Sequence, residues 1–128
     1  MDFGTEKAIY LQISDYICEQ ILNGRWKAGE RIVSVRELAA ALEVNPNTAM
    51  RAYNELADKN VIVNKRGIGF FVSADAPELV RGEQKADFLR NELPRLFKKM
   101  HLLDITLDEI ESIYKQSEKS INYEKENK

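Results

Sequence analysis

The stretch NPNTAMRAYNEL, residues 45–56, constrains the fold of this chain more than any other segment. A proline between two asparagines usually marks a turn, yet the residues that follow have the spacing of an amphipathic helix. Both observations agree if Asn45 is the N-cap and Pro46 the first helical residue, where the missing N–H costs nothing. We therefore expect a helix that begins at Pro46 and ends before Asn60, a residue that tolerates the left-handed conformation found after helices.

This helix has two different faces when its residues are placed at 100° intervals. One face is apolar and is expected to lie in the core; it carries Ala49, Ala52, Tyr53 and Leu56. The other is polar and available for binding; it carries Asn47, Arg51, Asn54 and Asp58, with Thr48 and Glu55 beside them. The polar face is therefore the first candidate for a functional surface.

Two further helices are predicted before it. Apolar residues at three- and four-residue steps indicate a first helix over about residues 7–23, with Gly24 as its stop. A second helix is predicted from Val35 to about Leu42, because Ser34 and Glu37 form a capping box at its start. The turn between the second and third helices is short.

A basic β-hairpin is predicted after the third helix. Two short strands, residues 61–64 and 69–73, are joined by a tight turn that contains Lys65, Arg66 and Gly67. Three helices followed by such a hairpin form a winged helix-turn-helix. The fold class is therefore mainly α, an α+β winged helix, followed by a short α-helical region.

The C-terminal part, residues 77–128, is predicted to be an α-helical dimerisation region, whereas residues 1–76 form the winged helix-turn-helix domain. Pro94 should kink or divide the first of its helices near residues 91–93, and Thr106 with Glu109 caps the next. The residues after Ile121 are expected to form a frayed tail.

Two helices are too few to bury their own apolar stripe and also enclose a small-molecule cavity. We therefore expect a second copy of the chain to cover the stripe, in a homodimer; the alternative is that the stripe packs on its own winged helix. The residues predicted to form the dimer interface are Leu89, Leu93, Leu96, Phe97, Ile110 and Ile113.

The net charge and the composition of the chain limit its possible binding partners and its cellular compartment. The net charge is −2, so nucleic-acid binding must depend on where the basic residues lie and not on their number. The single cysteine, Cys18, is expected to be a buried thiol, which favours a reducing compartment. No signal peptide or apolar run of about 20 residues is present, so we expect a cytoplasmic protein without a membrane partner.

The polar face of the third helix fits the major groove of double-stranded DNA, with its first turns at the base edges. Asn47 and Thr48 can hydrogen-bond bases, and the guanidinium of Arg51 can bond a guanine or a phosphate in a bidentate way. Each alone is an ordinary surface residue, and Arg51 could merely pair with Glu55. The combination with the wing favours binding, and the candidate DNA-binding residues are Arg36, Asn45, Asn47, Thr48, Arg51, Lys65, Arg66 and Gly67.

Residues 10–72, from YLQISDYICEQ through SVRELA and NPNTAMRAYNEL to RGIGFFV, resemble the DNA-binding domain of the GntR family of bacterial transcription regulators. The resemblance implies operator contacts by Arg36, Asn47, Thr48, Arg51, Arg66 and Gly67. Val33 stands where the family usually has proline and Asn60 where it often has glycine. The short helical C-terminal region resembles that of the YtrA subfamily, whose two helices serve mainly for dimerisation.

The leading hypothesis is a homodimeric repressor that binds an inverted-repeat operator. A winged helix that binds a protein instead is the alternative, which Glu55, Asp58 and the acidic net charge leave open. An enzyme is the weakest hypothesis, because the single histidine, His101, has no cysteine near it in sequence. No cofactor or metal is expected, and the sequence identifies no small-molecule effector.

Overall fold

The computed structural model describes the backbone of residues 7–126 and the side chains of residues 7–121. The chain divides into two compact units, residues 1–84 and 85–128. The division falls within a helix, α4 (Ala76–Asp87), because Ala76 and Val80 at its start belong to the core of the first unit. The functional boundary between residues 76 and 77 stays a prediction.

The first helix, α1 (Ile9–Leu22), spans slightly less than the range predicted for it. Its apolar stripe is buried, with Ile13, Ile17 and Ile21 at most 2% exposed. Cys18 lies on the same side, and burial raises the pKa of its thiol to about 11. As expected, the cysteine is a buried, protonated thiol, and α1 supplies one wall of the core.

The second and third helices begin where their caps predict. In α2 (Val35–Leu42) the Ser34 hydroxyl accepts a hydrogen bond from the Glu37 backbone N–H. α3 (Pro46–Asp58) has Pro46 at its N-terminus. Glu43 adopts a left-handed conformation with φ of 56° at the end of α2, which turns the chain sharply into α3.

The wing consists of β1 (Ile62–Lys65) and β2 (Gly69–Val72), which pair in antiparallel register with Ile62 opposite Val72. Both strands lie within one residue of their predicted limits. Residues 30–32 pair with the other edge of β2: the Ile32 N–H donates to the Phe70 carbonyl at 2.9 Å. The segment before α2 thereby ties the wing to the helices.

Tyr53 joins the helices to the wing in the core. Its side chain is completely buried, and its ring packs edge-on against Phe70 of β2 with 5.0 Å between the ring centroids. Its hydroxyl donates a hydrogen bond to the Val33 carbonyl at 2.8 Å. One residue of α3 thus fixes the positions of both β2 and the segment that leads into α2.

The second unit contains α5 (Leu93–Leu102) and α6 (Leu107–Glu126). A π-helical segment, Phe88–Glu92, separates α4 from α5. Because Pro94 lacks an N–H and its ring crowds the preceding turn, the helix cannot continue with regular hydrogen bonds there. The predicted division of this helix is confirmed.

The start of α6 follows its predicted capping box closely. The Thr106 N–H donates to the Glu109 carboxylate at 2.8 Å, and the Glu109 N–H donates to the Thr106 hydroxyl at 3.2 Å. The backbone of α6 is helical as far as Glu126, and residues 122–126 contain no glycine or proline to end the helix. That the residues after Ile121 fray stays a prediction. Residues 127 and 128 lie outside the described residues.

Candidate nucleic-acid interface

The N-terminus of α3 is organised by Asn45. Its side-chain oxygen accepts a hydrogen bond from the Asn47 backbone N–H at 2.8 Å, so this oxygen acts as the cap. Asn45 is exposed, and the cap uses only its side-chain oxygen. Its side-chain NH₂ group can therefore donate a hydrogen bond to a ligand. The positive end of the helix dipole lies at the same place, which favours an anion such as a phosphate.

The first turns of α3 present the side chains predicted to read bases. Asn47 and Arg51 are exposed, whereas Thr48 is half-buried. Asn54 is exposed one turn further on. Opposite them, Ala49, Ala52, Tyr53 and Leu56 are at most 2% exposed, as predicted. The helix therefore has one face anchored in the core and one face available.

Arg51 is held by an aromatic ring that the sequence interpretation missed. The guanidinium carbon of Arg51 lies 3.8 Å from the centroid of the Tyr10 ring of α1, which is a cation–π contact. Tyr10 and Arg51 are far apart in sequence, so no local spacing could reveal the pair. The contact restrains the guanidinium while leaving Arg51 exposed.

The alternative role of Arg51, an ion pair with Glu55, is wrong. Glu55 pairs with Lys59 at 3.3 Å, and Lys59 also reaches Glu83 of α4 at 2.9 Å. The hydrogen bond with Glu83 raises the pKa of Lys59, which keeps this lysine positively charged. Glu55 is thus neutralised locally, and Arg51 is left for another partner.

The tip of the wing is a four-residue turn in which the Ile68 N–H donates to the Lys65 carbonyl at 2.9 Å. Gly67 has a φ of 78°, a conformation that a residue with a Cβ atom rarely adopts. Arg66 and Gly67 are exposed at the tip. The Lys65 ammonium lies 4.2 Å from the centroid of the Phe71 ring, a second aromatic support that the sequence did not indicate.

A further basic residue, Arg31, lies beside the wing. Gly69 has a φ of 143°, and a Cβ atom placed on it would come within 2.9 Å of the Arg31 Nε atom. A side chain at residue 69 would therefore displace the flexible Arg31 guanidinium from this position. Arg31 was missed because its position beside β2 results from the pairing of residues 30–32 with that strand.

The distribution of charge favours an anionic ligand despite the net charge of −2. No acidic residue occurs between Glu43 and Glu55, nor between Asp58 and Asp75. These two segments contain the first turns of α3 and the whole wing. Arg36 on α2 is also exposed, at the helix that packs on α3. The predicted candidates thus lie on three consecutive elements of one unit.

Replacing Tyr10 by alanine should weaken binding of an anionic ligand by about twofold to fivefold, because Arg51 would lose an aromatic support worth about 0.5–1 kcal/mol. Tyr10→Phe should have almost no effect, since a phenylalanine ring retains the π face. Titration of a labelled DNA duplex with each variant measures the difference. Equal losses for both variants would mean that the hydroxyl matters and not the stacking.

The second unit contains the residues predicted to bind another copy. Four of them are exposed: Leu89 by 49%, Leu96 by 42%, Phe97 by 47% and Ile113 by 64%. Leu93 and Ile110 are half-buried. Several large apolar side chains exposed on the same stripe favour a surface that another molecule covers.

His101 lies in the last turn of α5, close to the negative end of the helix dipole. In the part of the chain that the structure describes, no three histidine, cysteine, aspartate or glutamate side chains are grouped to hold a metal ion. Over the same residues, no helix is long and apolar enough to cross a membrane.

A comparison with families of known proteins places residues 9–72 in the family described as bacterial regulatory proteins, gntR family. The matched segment begins with α1 and ends with β2, so it contains every candidate DNA-binding residue. The exposed stripe of the second unit lies outside it.

Individual relatives are similar over more than this segment. The HTH-type transcriptional repressor YtrA of Bacillus subtilis is 33% identical over 99% of this chain and 97% of its own length. An uncharacterised HTH-type transcriptional regulator of the same organism, YhcF, is 36% identical over 84% of this chain and 88% of its own. A crystal structure of a GntR-family regulator from Bacteroides thetaiotaomicron is 44% identical, with a TM-score of 0.72, over 88% of this chain and 98% of that one.

Proposed function

The chain belongs to the GntR family of bacterial transcription regulators, and on that premise we propose that it is a homodimeric repressor that binds an inverted-repeat operator. The family consists of DNA-binding regulators and not of enzymes. The observation that carries the proposal is the exposed polar start of α3, in which Arg51 is restrained on Tyr10 and no acidic side chain intervenes.

The proposal divides the DNA contacts between two tasks. Asn47, Thr48 and Arg51 read base edges in the major groove, because they lie on the first turns of α3. The other residues position the protein on the phosphates and carry no sequence information of their own. They are Arg36 on α2, Asn45 at the cap of α3, Lys65 and Arg66 on the wing, and Gly67, which allows close approach.

The exposed stripe of the second unit supports the dimer. In this proposal a second copy covers Leu89, Leu93, Leu96, Phe97, Ile110 and Ile113, so that residues 77–128 act as the dimerisation region and residues 1–76 as the DNA-binding domain. A two-fold dimer presents two copies of α3, which match the two halves of an inverted repeat. The YtrA relative is described as a repressor, which supports repression by blocking a promoter. In this proposal the protein acts in the cytoplasm, where bacterial DNA lies.

Arg51→Ala should weaken binding to the preferred operator by about 1–3 kcal/mol and relax the choice of base at one position in each half-site. Lys65→Ala is the matched control, because it removes one positive charge from the same interface but only a phosphate contact. It should weaken binding to all duplexes alike. Titrations of the operator and of single-base variants, each at two salt concentrations, separate the two effects.

The outcome that would reverse this assignment is loss of discrimination in Lys65→Ala with discrimination retained in Arg51→Ala. Absence of binding to any duplex, together with a stable complex in a pull-down with a purified protein partner, would instead favour the protein-binding winged helix. The salt dependence is informative as well, since phosphate contacts make affinity fall steeply with salt.

A further inference from the structure

Met50 is an exposed apolar residue at the edge of the polar face of α3, beside Asn47 and Asn54. Its side chain is 41% exposed, although the helix already buries four other residues almost completely. At helical spacing its neighbours on this face are Asn47, one turn before it, and Asn54, one turn after it, both exposed. The core therefore does not account for a large apolar side chain at this position.

Single exposed apolar residues are common on protein surfaces and need no explanation by themselves. Met50 differs because of where it lies. It directly precedes Arg51, whose guanidinium is held on Tyr10, and it stands between two amide side chains on a segment without acidic residues. A ligand that meets this face should therefore offer hydrogen-bonding groups with an apolar group among them.

The major groove of DNA offers that combination. Its base pairs expose hydrogen-bond donors and acceptors, and the C5-methyl group of thymine is the apolar group among them. Asparagine side chains match the donors and acceptors of the base edges. An unbranched thioether side chain adapts easily to a methyl group, because methionine has three rotatable bonds and a polarizable sulfur.

We propose that Met50 reads the C5-methyl group of a thymine in each operator half-site, and so helps to determine specificity. This inference rests on the proposed function, since it assumes that α3 enters the major groove. It adds a residue to the predicted base-reading set and states which base that residue recognises.

The test uses uracil in place of thymine. Deoxyuridine lacks only the C5-methyl group and keeps every hydrogen-bonding group of thymine, so a change in affinity reports the methyl alone. The operator selected by the purified full-length protein from random duplexes is prepared with each thymine replaced singly by deoxyuridine. Replacing the thymine that Met50 contacts should weaken binding about fourfold per half-site, the effect expected for one buried methyl group.

Three variants complete the test. Met50→Ala should bind the thymine and uracil duplexes equally, because it removes the side chain that contacts the methyl. Met50→Leu, which keeps an apolar side chain of similar size, should retain a preference for thymine. Glu19→Gln is the control, since it alters an exposed residue of α1 to which no DNA contact is assigned and should leave the uracil effect at the Met50 thymine unchanged. Thermal unfolding of each variant checks that the fold is intact.

Two results would overturn the inference while leaving the proposed function in place: an operator whose binding is insensitive to uracil at every position, or a uracil effect of equal size in wild type and Met50→Ala. If no operator is selected at all, the proposed function fails first and the inference fails with it. A uracil effect that is lost in Met50→Ala and kept in Met50→Leu supports it.

Discussion

Replacing Phe97 by glutamate is expected to convert the proposed dimer into a monomer and to weaken operator binding by about 100-fold or more. Phe97 is 47% exposed on α5, on the same stripe as Leu96. A carboxylate at the centre of an apolar interface would be buried without a partner, which strongly opposes association. Because the two recognition helices of a dimer act together, their separation loses a gain in avidity of about 10²–10⁴. Sedimentation equilibrium and operator titration measure the two effects.

Lys98→Glu is the control for this prediction. It introduces the same residue at the next position of α5, but Lys98 is a charged, exposed residue on the other side of the helix from the apolar stripe. We expect Lys98→Glu to stay dimeric. A Phe97→Glu variant that also stays dimeric and binds the operator normally would show that the exposed stripe is not the dimer interface.

Replacing Tyr53 by alanine should lower the free energy of unfolding of the winged helix by about 3–5 kcal/mol, the usual cost of removing a large buried aromatic ring. The ring is 0% exposed and packs at 5.0 Å, centroid to centroid, on Phe70. The whole stability of a domain is about 5–15 kcal/mol, so this variant should lose a large share of the stability of the winged helix. Urea denaturation followed by circular dichroism measures the change.

Tyr53→Phe separates the ring from its hydroxyl. This variant keeps the packing on Phe70 but removes the hydrogen bond to the Val33 carbonyl, for an expected cost of about 1 kcal/mol. Burial raises the pKa of Tyr53, so the hydroxyl is protonated and able to donate over the ordinary pH range. Equal costs for Tyr53→Ala and Tyr53→Phe would contradict the claim that the buried ring holds the wing to α3.

The helix boundaries were predictable where the sequence contains its own start signals. Asn45 with Pro46 and Ser34 with Glu37 act through hydrogen bonds and backbone angles of residues close in sequence, so the starts of α2 and α3 follow from them directly. Asn60, with a φ of 64°, has the left-handed conformation expected after α3. The length of α6 was less predictable, because no glycine or proline marks its end.

The candidate interface was predictable only in part, because its supporting contacts are tertiary. Tyr10 under Arg51 and Phe71 under Lys65 come together only after α1 and the wing have folded. The choice of Glu55 between Arg51 and Lys59 has the same origin, since Glu83 of α4 helps to hold Lys59. Sequence spacing permits Glu55 to pair with either Arg51 or Lys59, and packing decides which pair forms.

The most direct test of the central claim is selection of binding sites from a pool of random duplexes by the purified full-length protein. We predict that one inverted repeat is enriched, that two protomers bind each duplex, and that affinity for the repeat falls steeply as salt is raised. Enrichment of no sequence, or binding that does not distinguish the enriched sequence from the starting pool, would contradict the claim that this protein is a sequence-specific DNA-binding regulator.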